Sequence, residues 1–70
     1  MKESVKNEVY AFRTKAGLTQ EEFATRLGVS RQTVISIEKG NYTPSVLLAL
    51  KIARTFKTPV ETLFRISHEK

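Results

Sequence analysis

Cysteine and aspartate are absent from this chain of 70 residues, and histidine occurs once, at His68. Without cysteine the sequence has neither a disulfide nor a thiolate metal site, and a lone histidine with no nearby Cys or Asp is a poor metal ligand. The three glycines do not form a phosphate-binding loop, and one histidine offers no arrangement of nucleophile, base and orienting acid. We therefore expect no metal, no cofactor and no small-molecule ligand, and the chain is not predicted to be an enzyme.

Long apolar segments are missing as well. No run approaches the length that crosses a bilayer, and residues 1–10 lack the apolar core of a secretory signal. We expect a cytoplasmic protein with no membrane partner. The length allows one domain, over residues 1–70, and so small a core requires well-packed helices or a partner subunit for its stability.

Positive charge, in contrast, is in excess. Twelve Lys and Arg residues against seven Glu residues give a formal net charge of +5. Many small proteins carry such charge for solubility alone, so the charge is compatible with a nucleic-acid partner without identifying one.

The most informative stretch covers residues 19–40, where two helical patterns flank a tight turn. Thr19 precedes Glu22 by three residues, which is the spacing of a capping box at the start of a helix. Gly28 can adopt the left-handed conformation that ends this helix, and Ser30 is the N-cap candidate of the next. The stretch therefore predicts two short helices joined by a turn.

The second of these helices carries an unusual polar face. With Val34 and Ile37 directed inward, at about 100° per residue, the opposite face and its N-terminal flank consist of Arg31, Gln32, Thr33, Ile35, Ser36 and Lys39. Most of these side chains can hydrogen-bond base edges and phosphates, whereas a solvated face without a task is usually rich in Glu and Lys. The pattern is typical of a recognition helix in the major groove of DNA.

A first helix is expected from about Val5 to Ala16, because Val5, Val9, Phe12 and Ala16 repeat at helical spacing. Ser45 is expected to cap a fourth helix that ends at Lys57. The core stripe predicted for this helix is Val46, Ala49, Leu50, Ala53 and Phe56, widened by Leu48 and Ile52.

A fifth helix is expected from about Pro59 to Phe64, with Thr58 as its N-cap and Glu61 in its first turn. The tail that follows alternates in a way that permits a short strand but does not require one. The C-terminal third offers more apolar surface than one small core can use. We therefore expect a homodimer interface there, comprising Leu47, Leu48, Val60, Leu63, Phe64 and Ile66.

These motifs resemble those of the Xre/Cro/C1 helix-turn-helix family, and in particular its small standalone repressors. The matching segments are residues 17–24, 27–33, 37–40, 44–45 and 49–53. The resemblance implies an all-α, lambda-repressor-like domain of five helices, with at most a short terminal β ribbon. It also implies a protein that binds double-stranded operator DNA, commonly as a dimer.

The resemblance further implies roles for individual residues. Gln20 aligns with a phosphate-binding glutamine, although it is also simply a good residue for the start of a helix. Base-reading positions align with Arg31, Gln32 and Ser36, and a base or phosphate contact with Thr33. The loop that follows the DNA backbone in the family corresponds to Asn41, Tyr42 and Thr43. Tyr42 can equally pack on the loop, and Lys39 can be a solvated cation.

Two further positions are singled out by the family pattern. Arg13 and Glu38 match a partly buried ion pair between the first helix and the recognition helix, and this role is structural. Ile35 departs from the pattern, because its position is usually polar; an apolar side chain there can touch a thymine methyl group.

The function predicted from these features is a dimeric repressor that reads a palindromic operator in the major groove. An antitoxin-type module that binds a partner protein and its own operator is the alternative. Antitoxins of this family usually need extra segments to cover a toxin, and about six residues follow the fifth helix here. A basic amphipathic protein on a membrane surface is disfavoured by the two capped helices around a tight turn.

Overall fold

The computed structural model describes residues 2–69, which form five α-helices and two β-strands. The helices span Val9–Lys15 (α1), Gln20–Leu27 (α2), Arg31–Glu38 (α3), Val46–Phe56 (α4) and Val60–Leu63 (α5). The strands span Lys2–Asn7 (β1) and Phe64–Glu69 (β2). The helix-turn-helix prediction is confirmed by α2 and α3, but the chain is not strictly all-α.

The two ends of the described chain pair as an antiparallel ribbon, in which Asn7 lies opposite Phe64 and Val5 opposite Ile66. Val5 therefore belongs to a strand, and its predicted place in the first helix is wrong. Its spacing from Val9 fits a helix by coincidence, because the contact that fixes its conformation comes from the far end of the chain. Among residues 2–69, no helix is long and apolar enough to cross a membrane.

Local hydrogen bonds set the ends of α2 and the start of α3. The hydroxyl of Thr19 accepts the backbone N–H of Glu22, whose carboxylate in turn accepts the backbone N–H of Thr19 at 2.8 Å, so the predicted capping box is confirmed. Gly28 ends α2 at a φ of 76°, a left-handed conformation that glycine adopts without steric cost. Ser30 then caps α3 through the N–H of Thr33.

The core lies where the helices meet and is built from residues of all five. Its largest fully buried side chains are Val9, Phe23, Leu27, Val34, Ile37, Ile52 and Leu63. Because Val34 and Ile37 are buried here, the opposite face of α3 must point outward, as the sequence pattern predicts.

The orientation of α4 differs from the prediction. Leu48, Ile52 and Ala53 are buried. Val46 and Leu50 belong to the predicted core stripe but are 77% and 54% exposed. Apolar residues surround most of this helix, so its periodicity does not select which face packs inward.

The last helix is also shorter than expected. The N-cap of α5 is Pro59 instead of Thr58, and Phe64 already has the extended backbone that opens β2.

Candidate nucleic-acid interface

The polar face of α3 is exposed along the outer side of the helix. Arg31 and Gln32 are exposed in its first turn, and Thr33, Ile35 and Ser36 are half-buried. On the opposite face, Val34 and Ile37 are buried in the core and hold the helix in place. Its outward side chains are therefore presented on a rigid element, as a reading surface requires.

A shallow groove runs between α3 and the loop that follows it. Its lining residues, which all carry amide, hydroxyl or phenol groups, are Ser30, Gln32, Thr33, Ser36, Asn41 and Tyr42. All except Ser30 were predicted as DNA contacts from the sequence. Such groups both donate and accept hydrogen bonds, so the groove can read base edges and hold phosphate oxygens.

Backbone hydrogen bonds place the loop beside α3. Gly40 turns the chain at a φ of 80° and donates its N–H to the Ile37 carbonyl at 3.0 Å. The N–H of Asn41 reaches the Ser36 carbonyl at 2.9 Å. Asn41, Tyr42 and Thr43 follow as exposed residues, and this exposure agrees with a role on the DNA backbone.

A second groove separates the start of α2 from the start of α3, and its lining includes Arg13, Gln20 and Arg31. The Gln20 amide nitrogen donates to the Oε1 atom of Glu38 at 3.2 Å. This bond orients the side chain and uses one of the two amide protons, so the other remains for a phosphate oxygen. The structure thus brings Gln20 close to the N-terminal end of the recognition face.

The predicted partners Arg13 and Glu38 form an ion pair beneath this groove. Arg13 donates from Nε to Oε2 of Glu38 at 2.5 Å and from Nη2 to Oε1 at 3.2 Å, and its Nη1 donates to the Leu18 carbonyl at 2.7 Å. The exposed fractions of the two side chains are 9% and 6%. The pair therefore ties α1, the segment before α2 and the end of α3 into one unit.

Asn7 contributes a contact that the sequence reasoning missed. Its Oδ1 accepts the N–H of Val9 at 3.1 Å, and its Nδ2 donates to the carbonyl of Ile37 at 2.9 Å. The side chain thus starts α1 and holds the last turn of α3. An asparagine that bonds the N–H two residues ahead is a known local motif, and this signal could have identified the first of the two contacts.

The predicted dimer interface has to be revised. Leu48 and Leu63 lie in the core of this same chain and are not available to a partner, and Val60 and Phe64 pack partly against that core. Leu47 and Ile66 are exposed by 65% and 66%. Among residues 3–68, the exposed large aliphatic side chains are Val46, Leu47, Leu50 and Ile66. Three of the four lie on α4.

Comparison with known proteins agrees with this geometry. Residues 9–63 match a family model described as helix-turn-helix. An uncharacterized HTH-type transcriptional regulator of Archaeoglobus fulgidus is 46% identical over 66 residues, which cover 94% of each chain. The regulator YgzD of Bacillus subtilis is 46% identical over 65 residues, which cover 93% of this chain and 98% of its own.

Solved structures give the same picture. The restriction-modification controller protein C.AhdI of Aeromonas hydrophila is 30% identical, with a TM-score of 0.71 over 77% of this chain and 82% of its own. A protein from Bacteroides fragilis has a TM-score of 0.78 over 87% of this chain and 98% of its own. At 18% identity, the second comparison establishes the fold alone.

Proposed function

We propose that this chain, which belongs to the Xre/Cro/C1-type helix-turn-helix family of DNA-binding transcriptional regulators and not to an enzyme class, is a repressor. In this proposal it binds a palindromic operator as a dimer. In this proposal α3 enters the major groove, where an α-helix can read the bases directly. The observation that carries the proposal is the outward polar face of α3, which is backed by the buried Val34 and Ile37.

Base reading is assigned to the exposed first turn of α3 and to the side chain one turn later. The Gln32 amide both donates and accepts, which fits the N6 and N7 atoms of adenine, and the Arg31 guanidinium fits O6 and N7 of guanine. Ser36 lines the same groove as Gln32 and can reach the next base pair. Ile35 is half-buried and suits a thymine methyl group.

Phosphate contacts are assigned to the residues around this face. Gln20 bonds Glu38, the last residue of α3, and shares a groove with Arg31 from its first turn. Lys39 follows directly after the helix. Thr33 and the loop residues Asn41, Tyr42 and Thr43 complete the set. Such contacts fix the register and orientation of the protein on the duplex without carrying sequence information.

The proposed dimer forms through the outer side of α4, with a second copy of this chain as the occupant. Val46, Leu47 and Leu50 give this side an exposed apolar surface. Leu47 also lines a groove together with Tyr42 and Thr33, so the surface is continuous with the DNA-reading side. A two-fold axis there would direct both copies of α3 toward the same side of a duplex, about 34 Å apart.

Selection of bound sequences from random duplexes tests the proposal. We expect enrichment of two inverted half-sites whose centres lie about 10 base pairs apart. Enrichment of a single unrepeated site would contradict the symmetric dimer, and the absence of any enrichment would contradict sequence-specific binding. Transcription from a promoter that overlaps the selected site then tests repression, for which the protein should lower the yield of transcript.

A further inference from the structure

We propose that the β1–β2 ribbon adds a second phosphate-binding surface, through which Lys6 and Arg65 contact the DNA backbone outside the bases read by α3. The inference extends the proposed DNA-binding function and rests on it. It assigns a role to an element that lies outside the matched residues 9–63 and that the helix-turn-helix alone does not require.

The ribbon lies against the end of the recognition helix. One shallow groove is lined by Lys6 and Arg65 from the ribbon and by Lys39 and Gly40 from the end of α3. Asn7, the last residue of β1, holds this arrangement through its 2.9 Å hydrogen bond to the Ile37 carbonyl. The cations of the ribbon are thereby kept at a fixed place relative to α3.

This groove begins where the recognition face ends. By the helical rotation of about 100° per residue, Lys39 lies within about 20° of Gln32 and about 60° of Ser36 around α3. Lys39 therefore belongs both to the predicted DNA surface and to the lining of the ribbon groove. A DNA backbone that passes the end of α3 would meet Lys39 first and the ribbon next.

The charge of the groove is positive. Glu38 also lines the groove, but its carboxylate already accepts hydrogen bonds from Arg13 and Gln20. Among the side chains that the structure describes, Lys6 has no acidic partner. Arg65 pairs with Glu8 at 2.7 Å, but both side chains remain about half exposed, so the pair is solvated and can rearrange.

The placement of Lys6 is costly for the ribbon itself. Lys6 and Arg65 are directly opposite in the strand register, and like charges at such positions destabilise a pair of strands. Fold stability therefore gives no reason for the charge of Lys6, whereas a polyanion would neutralise both cations. Removal of the Lys6 charge should therefore weaken DNA binding without lowering the stability of the fold. A purely structural role would predict the opposite.

The experiment measures the affinity of the full chain for a random-sequence duplex over a series of salt concentrations. Each phosphate contact contributes about 0.9 to the slope of log affinity against log salt. We expect Lys6→Gln to lower the magnitude of this slope by about 0.9, with weaker binding at low salt. Lys6→Arg should keep the slope of the original chain. Lys57→Gln is the matched control, since it removes an equal charge at the end of α4, away from the groove.

The thermal midpoint of Lys6→Gln should equal or exceed that of the original chain. Lys6→Thr, which favours the strand, repeats the measurement if the amide variant is less stable. An unchanged slope for Lys6→Gln and Lys6→Thr, which remove the charge, would overturn this inference alone if the original chain binds normally. Failure of the original chain to bind both random and selected duplexes would overturn the proposed function as well.

Discussion

Arg13 and Glu38 lie 25 positions apart in the chain and join α1 to α3 through a two-pronged ion pair. The same carboxylate accepts the amide of Gln20. One buried acid thus contacts both Arg13 and Gln20, so the position of α3, the proposed recognition helix, depends on this pair.

Removal of one partner should be more damaging than removal of both. Arg13→Met leaves the Glu38 carboxylate and the Leu18 carbonyl without the guanidinium, and Glu38→Leu leaves a buried cation. Each single change should lower the free energy of unfolding by about 3–5 kcal/mol, because the survivor is unpaired. The double variant leaves no unpaired charge and should therefore lose less than either single variant, as measured by denaturant unfolding. Strict additivity would contradict the proposed coupling of the pair.

The capping box predicts a dependence of stability on pH. The backbone N–H of Thr19, and then its hydroxyl, hold the pKa of Glu22 below its ordinary value of 4.5, with a further contribution from Arg26. A lowered pKa in the folded state stabilises the protein fully above pH 4.5 and loses this effect as the pH falls through the lowered value.

Comparison with Glu22→Gln isolates the contribution of the Glu22 charge to the stability of the fold. The original chain should have the higher thermal midpoint near neutral pH, and the difference should shrink as the pH falls below 4.5. A difference that stays constant down to the most acid conditions would show that the charge of Glu22 does not contribute.

Dimerisation should depend on the outer side of α4. Leu47→Glu and Leu50→Glu should shift the chain toward monomer in sedimentation equilibrium while the helix content stays unchanged, because both residues are exposed in the single chain. Ile66→Glu lies on the ribbon, outside the proposed α4 interface, and has almost the same exposure as Leu47. It should leave the dimer intact. Dimers that persist in both α4 variants would place the interface elsewhere.

A core residue should behave differently from these surface positions. Leu63 is fully buried, so Leu63→Ala should lower the free energy of unfolding by about 2–5 kcal/mol. Chemical denaturation measures this loss. A smaller loss than that of Ile66→Ala, at an exposed position, would contradict the assignment of Leu63 to the core.

The helix-turn-helix could be predicted from the sequence because its determinants are local. The caps formed by Thr19 and Ser30 act over three residues, and the burial of Val34 and Ile37 defines the outward face of α3. The candidate DNA-reading residues followed directly from that face. These residues lie beside the loop after α3 because the chain turns tightly at Gly40, and such a turn is also a local feature.

The remaining errors concern contacts that periodicity does not report. β1 exists because it pairs with β2 near the other end of the chain, so the helical spacing of Val5 was misleading. The two apolar sides of α4 were indistinguishable until Leu48 and Ile52 were seen in the core. Asn7 was overlooked because its bond to the Ile37 carbonyl spans 30 positions.

Selection from random duplexes with two glutamine variants tests directly whether α3 reads bases. Gln32→Ala removes an amide from the recognition face, whereas Gln20→Ala removes one from the proposed phosphate contact. Both leave the net charge unchanged, and both must keep the helix content of the original chain.

We predict that Gln32→Ala relaxes the preference at one or two base pairs in each half-site and costs about 1–3 kcal/mol on the selected operator. Its binding to random DNA should barely change. Gln20→Ala should weaken binding to operator and random DNA alike while the selected sequence stays the same. An operator sequence that survives Gln32→Ala intact would contradict the assignment of the recognition face.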